Sequence, residues 1–91
     1  EFALHQNFPN PFNPTTTIRY DLPSEEDVSV VIFDVVGRKI RSLINKNQSA
    51  GYHRIQWDAK NDLGEPISAG MYIYIFQAGD HRSVKKMVLL K

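Results

Sequence analysis

Cysteine is absent from the 91 residues, which excludes a disulfide framework, thiolate catalysis and a zinc site of cysteine type, while leaving the redox compartment open. Net charge is nearly absent too. Eleven Lys and Arg against ten Asp and Glu leave a net charge of +1, too little for the broad positive field that nucleic-acid binding needs, so no nucleic-acid partner is expected. No apolar run approaches the roughly 20 residues that cross a bilayer, and no transmembrane segment is expected. The opening residues, Glu1 to Asn7, lack the basic and apolar regions of a signal peptide, so any export is expected to be directed from elsewhere. Helix signals are scarce throughout.

What is present reads as one small domain. A hydrophobic fraction of 42% and a charged fraction of 23% are ordinary for a globular chain, which argues against intrinsic disorder. The size scaling for 10.5 kDa gives roughly 5,400 Å² of surface on the folded chain, about 64% of the unfolded surface being buried. That suffices for a modest core.

Residues 1–14 form a proline-rich lead-in. Pro9, Pro11 and Pro14 each fix their own φ and push the preceding residue away from helix, so the segment is expected to be extended and irregular, packed on the domain. Phe8 and Phe12 are both expected to lie over the edge of the core, a partner-binding arm being the alternative.

From residue 15 to 91 short runs rich in Val, Ile, Tyr, Phe and Thr alternate with turn residues, and the runs 16–22, 28–34, 39–44, 52–57, 71–77 and 83–90 read as strands. There are six, or seven if the lead-in pairs, and such spacing points to a sandwich or barrel. The runs 28–34 and 71–77 are apolar on both faces, as central strands are. Residues 52–57 are apolar on one face only, with Trp57 the expected core anchor. Asp34 to Arg38 reads as a tight hairpin with Gly37 at positive φ. Residues 45–51 read as a long polar link, Asn61 to Gly64 as a second turn, and Ala78 to His81 as the last, with His53 on a strand and His81 in that turn.

Catalytic patterns are missing. His5, His53 and His81 are far apart in sequence, no serine sits in a nucleophile elbow, and no glycine-rich loop follows a strand, so no enzymatic activity and no cofactor are expected. Asp58, Asn61, Asp62 and Glu65 gather oxygen atoms beside Gly64, but their spacing is that of turn chemistry rather than of a calcium loop. Tyr20, Tyr52, Trp57, Tyr72 and Tyr74 could form a sugar-stacking platform, though strand-borne rings more often pack in the core.

Five stretches taken together are more specific than any of these features. They are Gln6 to Tyr20, Val30 to Arg38, Ala50 to Asp58, Ala69 to Tyr74 and Lys86 to Lys91. In this order they resemble a type A C-terminal sorting domain of the type IX secretion system, and are similar also to the immunoglobulin-like domain of flagellar hook-capping proteins. The resemblance implies an all-β, immunoglobulin-like antiparallel sandwich of about seven strands, carried by a larger exported bacterial protein. It implies a non-catalytic address read by the outer-membrane secretion machinery, the other partners being the preceding domains of the same protein. The location implied is secreted or cell-surface, after transit through the periplasm, with surface attachment a further role.

Residue by residue, Pro9, Asn10, Pro11, Phe12, Asn13 and Pro14 match the opening box. Asp34, Gly37 and Arg38 match the middle hairpin, and Gly70 and Tyr72 the late Gly-x-Tyr element. These, with Trp57, are expected to be structural. Lys85, Lys86, Met87, Val88, Leu89, Leu90 and Lys91 form the closing strand, expected to carry recognition, its lysines contacting the secretion machinery electrostatically. The alternative reading is an accessory spacer or polysaccharide-binding module of a secreted enzyme.

Overall fold

The computed structural model describes residues 1–90. Seven strands form, all paired antiparallel: β1 (Ala3–Leu4), β2 (Thr16–Leu22), β3 (Glu26–Asp34), β4 (Lys39–Gln48), β5 (Gly51–Trp57), β6 (Gly70–Ala78) and β7 (His81–Leu89). They make a three-stranded sheet of order β1-β2-β5 and a four-stranded sheet of order β4-β3-β6-β7, the two layers of an immunoglobulin-like sandwich. The exposed surface is 5433 Å², close to the value expected from mass alone.

Period-two alternation builds the core. Ile18, Tyr20 and Leu22 of β2 and Val28, Val30 and Ile32 of β3 point between the layers, while β6 contributes its aromatic side, Tyr72, Tyr74 and Phe76. Its other side, Met71, Ile73 and Ile75, lies on the outer surface, half-buried or exposed. On β7 the inward pair is Met87 and Leu89. Trp57 is 1% exposed, with its ring centroid 5.8 Å from Phe12 and 6.0 Å from Tyr72, and its Nε1–H donates to the Lys60 carbonyl at 2.9 Å. One ring therefore ties the lead-in, β5 and β6 together.

Three expectations are corrected. Residues 45–48 continue β4 rather than opening a long link, because Asn45, Asn47 and Gln48 find ladder partners in Ser29, Asp27 and Glu26 of β3. His81 begins β7 rather than sitting in the turn: it pairs with Ala78, leaving only Gly79 and Asp80 between the strands, and its ring stacks on Phe2 at 4.8 Å. Phe8 and Phe12 have opposite fates, Phe12 being 2% exposed and Phe8 74%. Phe8 is bridged to Thr17, on the outer side of β2, whereas Phe12 is bridged to Leu89, on the inner side of β7.

The hairpin after β3 forms as its residues require. Asp34 Oδ1 accepts from the Val36 and Arg38 backbone N–H groups at 3.1 and 2.9 Å, and Gly37 takes φ 90°. A Cβ on Gly37 would meet no atom within 4 Å, so any penalty there is purely conformational. Gly37→Val is expected to lower stability by about 1–3 kcal/mol in denaturant melts. An unchanged stability in Gly37→Val would show that the hairpin does not depend on the left-handed backbone at Gly37.

Candidate functional site

The proline-rich lead-in and the closing strand share one edge of the four-stranded sheet. An edge strand exposes a row of unpaired N–H and C=O groups, a template for unwanted pairing. Here the lead-in closes the C-terminal half of that row. Phe12 N–H donates to the Val88 carbonyl at 3.0 Å, Leu90 N–H donates to the Phe12 carbonyl at 2.8 Å, Val88 N–H donates to Asn10 Oδ1 at 3.0 Å, and Gln6 Nε2 donates to the Lys86 carbonyl at 2.7 Å. Arg82 and Val84, further back on β7, have no such backbone staple among the described residues. The Phe8–Pro9, Asn10–Pro11 and Asn13–Pro14 peptide bonds are cis.

A buried polar network anchors the lead-in from below. Asn7 is 2% exposed; its N–H donates to Tyr74 Oη at 2.8 Å, and its Nδ2 donates to Thr16 Oγ1 at 3.0 Å and the Pro9 carbonyl at 3.2 Å. Tyr74 Oη in turn donates to the His5 carbonyl at 2.9 Å, and Thr16 Oγ1 donates to the Pro9 carbonyl at 2.8 Å. No buried side-chain polar atom among the described residues lacks a partner, as a buried network must achieve to be stable. Sequence reasoning passed over Asn7 and Thr16. The available signal was an asparagine preceding Phe8 and Pro9, where a side chain must replace the donors that proline lacks.

Burial pushes the Tyr74 phenol up to about 12, against the Asn7 N–H that favours the phenolate. Tyr20 moves the same way, burial outweighing its hydrogen bond to Gln48. The unfolded chain therefore loses these protons at lower pH than the folded one, and for Tyr74 the contribution is complete below about pH 10 and disappears as pH rises through about 12. Alkaline melts are expected to show stability falling over that window by about 2–3 kcal/mol for Tyr74 alone, and Tyr74→Phe is expected to flatten the fall.

The other motif residues converge at one end of the sandwich. Asp34 pairs with Tyr72 across β3 and β6, Tyr72 with Met87, and Gly70 with Leu89 across β6 and β7. Between the Asp34–Arg38 hairpin and residues 67–72 lies an open cleft of about 370 Å³, rimmed by the exposed Val35, Val36 and Met71. Arg38 does not project freely into it: its Nε donates to Asp34 Oδ2 at 2.8 Å. Partial desolvation of Asp34 opposes ionisation, but the Arg38 N–H, guanidinium and charge, with the Val36 N–H, hold its carboxyl below the usual range. Tyr72 Oη donates to the Ser68 carbonyl at 2.6 Å. Asp34, Arg38 and Tyr72 thus spend their polar groups on one another and on nearby backbone.

The closing-strand residues are divided by the fold. Met87 and Leu89 are core, Lys85 and Val88 are half-buried on opposite faces, Lys86 and Leu90 are exposed, and Lys91 lies outside the described residues. The aromatic platform is likewise dispersed: Tyr20, Trp57, Tyr72 and Tyr74 are buried, and of the five rings Tyr52 alone faces solvent, at 90% exposure. The oxygen-bearing loop is stitched to β4 instead of converging on a point. Asp62 Oδ1 accepts from the Ser42 N–H at 3.0 Å, Asp58 lies 3.6 Å from Arg41 Nη1, and Asn61 Oδ1 accepts from the Leu63 and Glu65 N–H groups. Among the described residues no three His, Asp or Glu side chains are grouped to hold a metal ion, and no helix is long and apolar enough to cross a membrane.

Two packed antiparallel sheets with this strand order define an immunoglobulin-like domain. The chain belongs to the FlgD Ig-like domain family, whose model matches residues 12–80. Among solved structures it is similar to dimeric latent PorU from Porphyromonas gingivalis, with 24% identity and a TM-score of 0.75 over 99% of this chain and 9% of that one. PorZ of the same bacterium, described as an essential bacterial surface component of the type-IX secretion system, gives 17% identity and a TM-score of 0.64, covering 99% of this chain and 11% of PorZ. FlgD from Xanthomonas campestris gives 19% identity and a TM-score of 0.66 over 96% of this chain and 65% of its own. No curated protein matches the sequence significantly. At these identities the likeness is one of fold, and the chain spans only about a tenth of the length of PorU and PorZ.

Proposed function

We propose that this domain is a non-catalytic recognition module of a larger exported protein, read as a sorting signal by type IX secretion machinery at the outer membrane. The observation that carries the reading is the construction of β7. Its inner residues, Met87 and Leu89, lock into the core while Lys86 and Leu90 are held outward on a strand whose edge is fixed by the lead-in. A rigid strand presenting a cation beside apolar surface suits docking on a protein receptor, where charge steers the encounter and fixes register. The likeness in fold to a small region of PorU and of PorZ supports the same reading. The histidines support the non-catalytic part. His5 lies against Asp21, His53 against the Ser49 carbonyl, and His81 against Ser83, so each ring is taken up by its own structural partner even though His5 and His53 line one shallow cavity.

The test is a secretion assay in a host with a type IX system, using a periplasm-directed reporter fused to residues 1–91. The fusion is expected in the medium or at the surface, and the reporter alone is expected to stay in the periplasm. Among the lysines Lys86 is the clean probe, because Lys85 is half-buried beside the core. Lys86→Gln is expected to leave the melting temperature nearly unchanged while lowering export. Normal export of Lys86→Gln would sink the role of that lysine, and normal export of reporter lacking the domain would sink the sorting function.

A further inference from the structure

On the outer face of the three-stranded sheet, β2 and β5 place Arg19 directly opposite Arg54. Like charges in that position repel and destabilise a sheet, and an outward face offers no packing reason for them. Compensation is absent as well: among the described residues neither guanidinium has a carboxylate within salt-bridge distance. Asp21, the acidic residue in the neighbouring row, has its Oδ1 3.1 Å from His5 Nε2.

The surroundings of the pair are equally unusual. Phe8 is 74% exposed yet rigidly held, its N–H donating to the Thr17 carbonyl and its carbonyl accepting from the Thr17 N–H, both at 2.9 Å. Phe8, Thr17, Arg19 and Arg54 line a shallow cavity of about 460 Å³. Tyr52, two residues from Arg54 on the same strand face, adds a second exposed ring.

We propose that Arg19 and Arg54, flanked by Phe8 and Tyr52, form a binding site for an anionic sugar, a pyranose bearing a phosphate or carboxylate. The residues at positions 19 and 54 start from Cβ atoms about 5 Å apart, so their planar guanidinium forks can take one oxyanion between them, each through bidentate donors. The bound anion removes the repulsion that the free sheet carries. The aromatic rings supply the apolar surface that the C–H face of a sugar needs, which neither arginine provides. This site is on the sheet opposite the closing strand and is independent of the sorting reading.

The experiment is a ¹⁵N NMR titration of residues 1–91 that follows backbone amides and arginine Nε–H signals. The probes are glucose 6-phosphate, glucuronate, neutral glucose and inorganic phosphate. Glucose 6-phosphate or glucuronate is expected to shift Arg19, Arg54 and Thr17 with a Kd of order 1 mM, the two probes distinguishing phosphate from carboxylate. Glucose is expected to give no shift, and inorganic phosphate to bind at least about threefold more weakly, for lack of ring contacts. Arg19→Gln with Arg54→Gln is expected to abolish binding, and Phe8→Ala to bring the sugar phosphate down to the level of inorganic phosphate. No shift with either anionic sugar at about 50 mM would overturn the site. Equal binding of inorganic phosphate and both anionic sugars would overturn its assignment to a sugar. A thermal melt separates binding from a structural role: Arg54→Gln alone is expected to raise the melting temperature by about 1–4 °C, through relief of the repulsion. A fall in its place would mark the arginines as structural and overturn the proposal.

Discussion

Trp57→Ala is expected to lower the unfolding free energy by about 3–5 kcal/mol, the range for deleting a large core aromatic. The indole is almost wholly removed from water, touches rings from the lead-in and from β6, and satisfies its one donor on the Lys60 carbonyl. Alanine would leave a cavity between layers that are fixed by their own ladders and cannot collapse into it. It would also leave the Lys60 carbonyl without its donor. Denaturant melts with unchanged slope and a markedly lower midpoint are the expected result. A change below about 1 kcal/mol would show that the two sheets close over the gap.

A paired substitution in the lead-in is expected to give a comparable loss at one site and almost none at the other. Phe12→Ala removes a buried ring packed on Trp57 and is expected to cost about 3–5 kcal/mol, whereas Phe8→Ala, on an open face, is expected to stay within about 0.5 kcal/mol. The contrast distinguishes a lead-in that completes the core from one that merely lies on it. Equal effects at Phe8 and Phe12 would mean that the bridges to Thr17 and Leu89 do not set the two orientations.

Those two phenylalanines also mark where reading the chain stopped being sufficient. Strand β2 was legible to the residue, because Ile18, Tyr20 and Leu22 alternate with Thr17, Arg19 and Asp21 and the period reports the face. An irregular proline-rich segment has no period, so nothing local says which phenylalanine turns inward. That is decided by which strand each backbone meets. The end of β4 was lost for a related reason: Asn45, Lys46, Asn47 and Gln48 have turn-like composition, yet an edge position beside β3 supplies ladder partners that override propensity.

Of the candidate recognition residues, the strand itself was legible but its division was not. Alternation allowed either Met87 and Leu89 or Val88 and Leu90 to face inward, and only the register against Tyr72 and Gly70 decides for the first pair. The Asn7 network lay beyond sequence reasoning because Tyr74, Thr16 and Pro9 come together only after the sheets have packed. The opposed arginines were hidden in the same way, since 35 positions separate them and pairing alone makes them neighbours.

The clasp between Phe12 and residues 88–90 has a consequence for timing. A contact spanning most of the chain cannot form until nearly all of it is available, and non-local closures of this kind are slow steps in β-folding. A chain emerging vectorially, from a ribosome or through a pore, therefore exposes Phe12 and an unclosed sheet edge until residue 90 has cleared. During that interval it is a substrate for chaperones and proteases. The arrival of the final strand ends the interval in a single event, so the finished sandwich certifies that the chain was made through to β7.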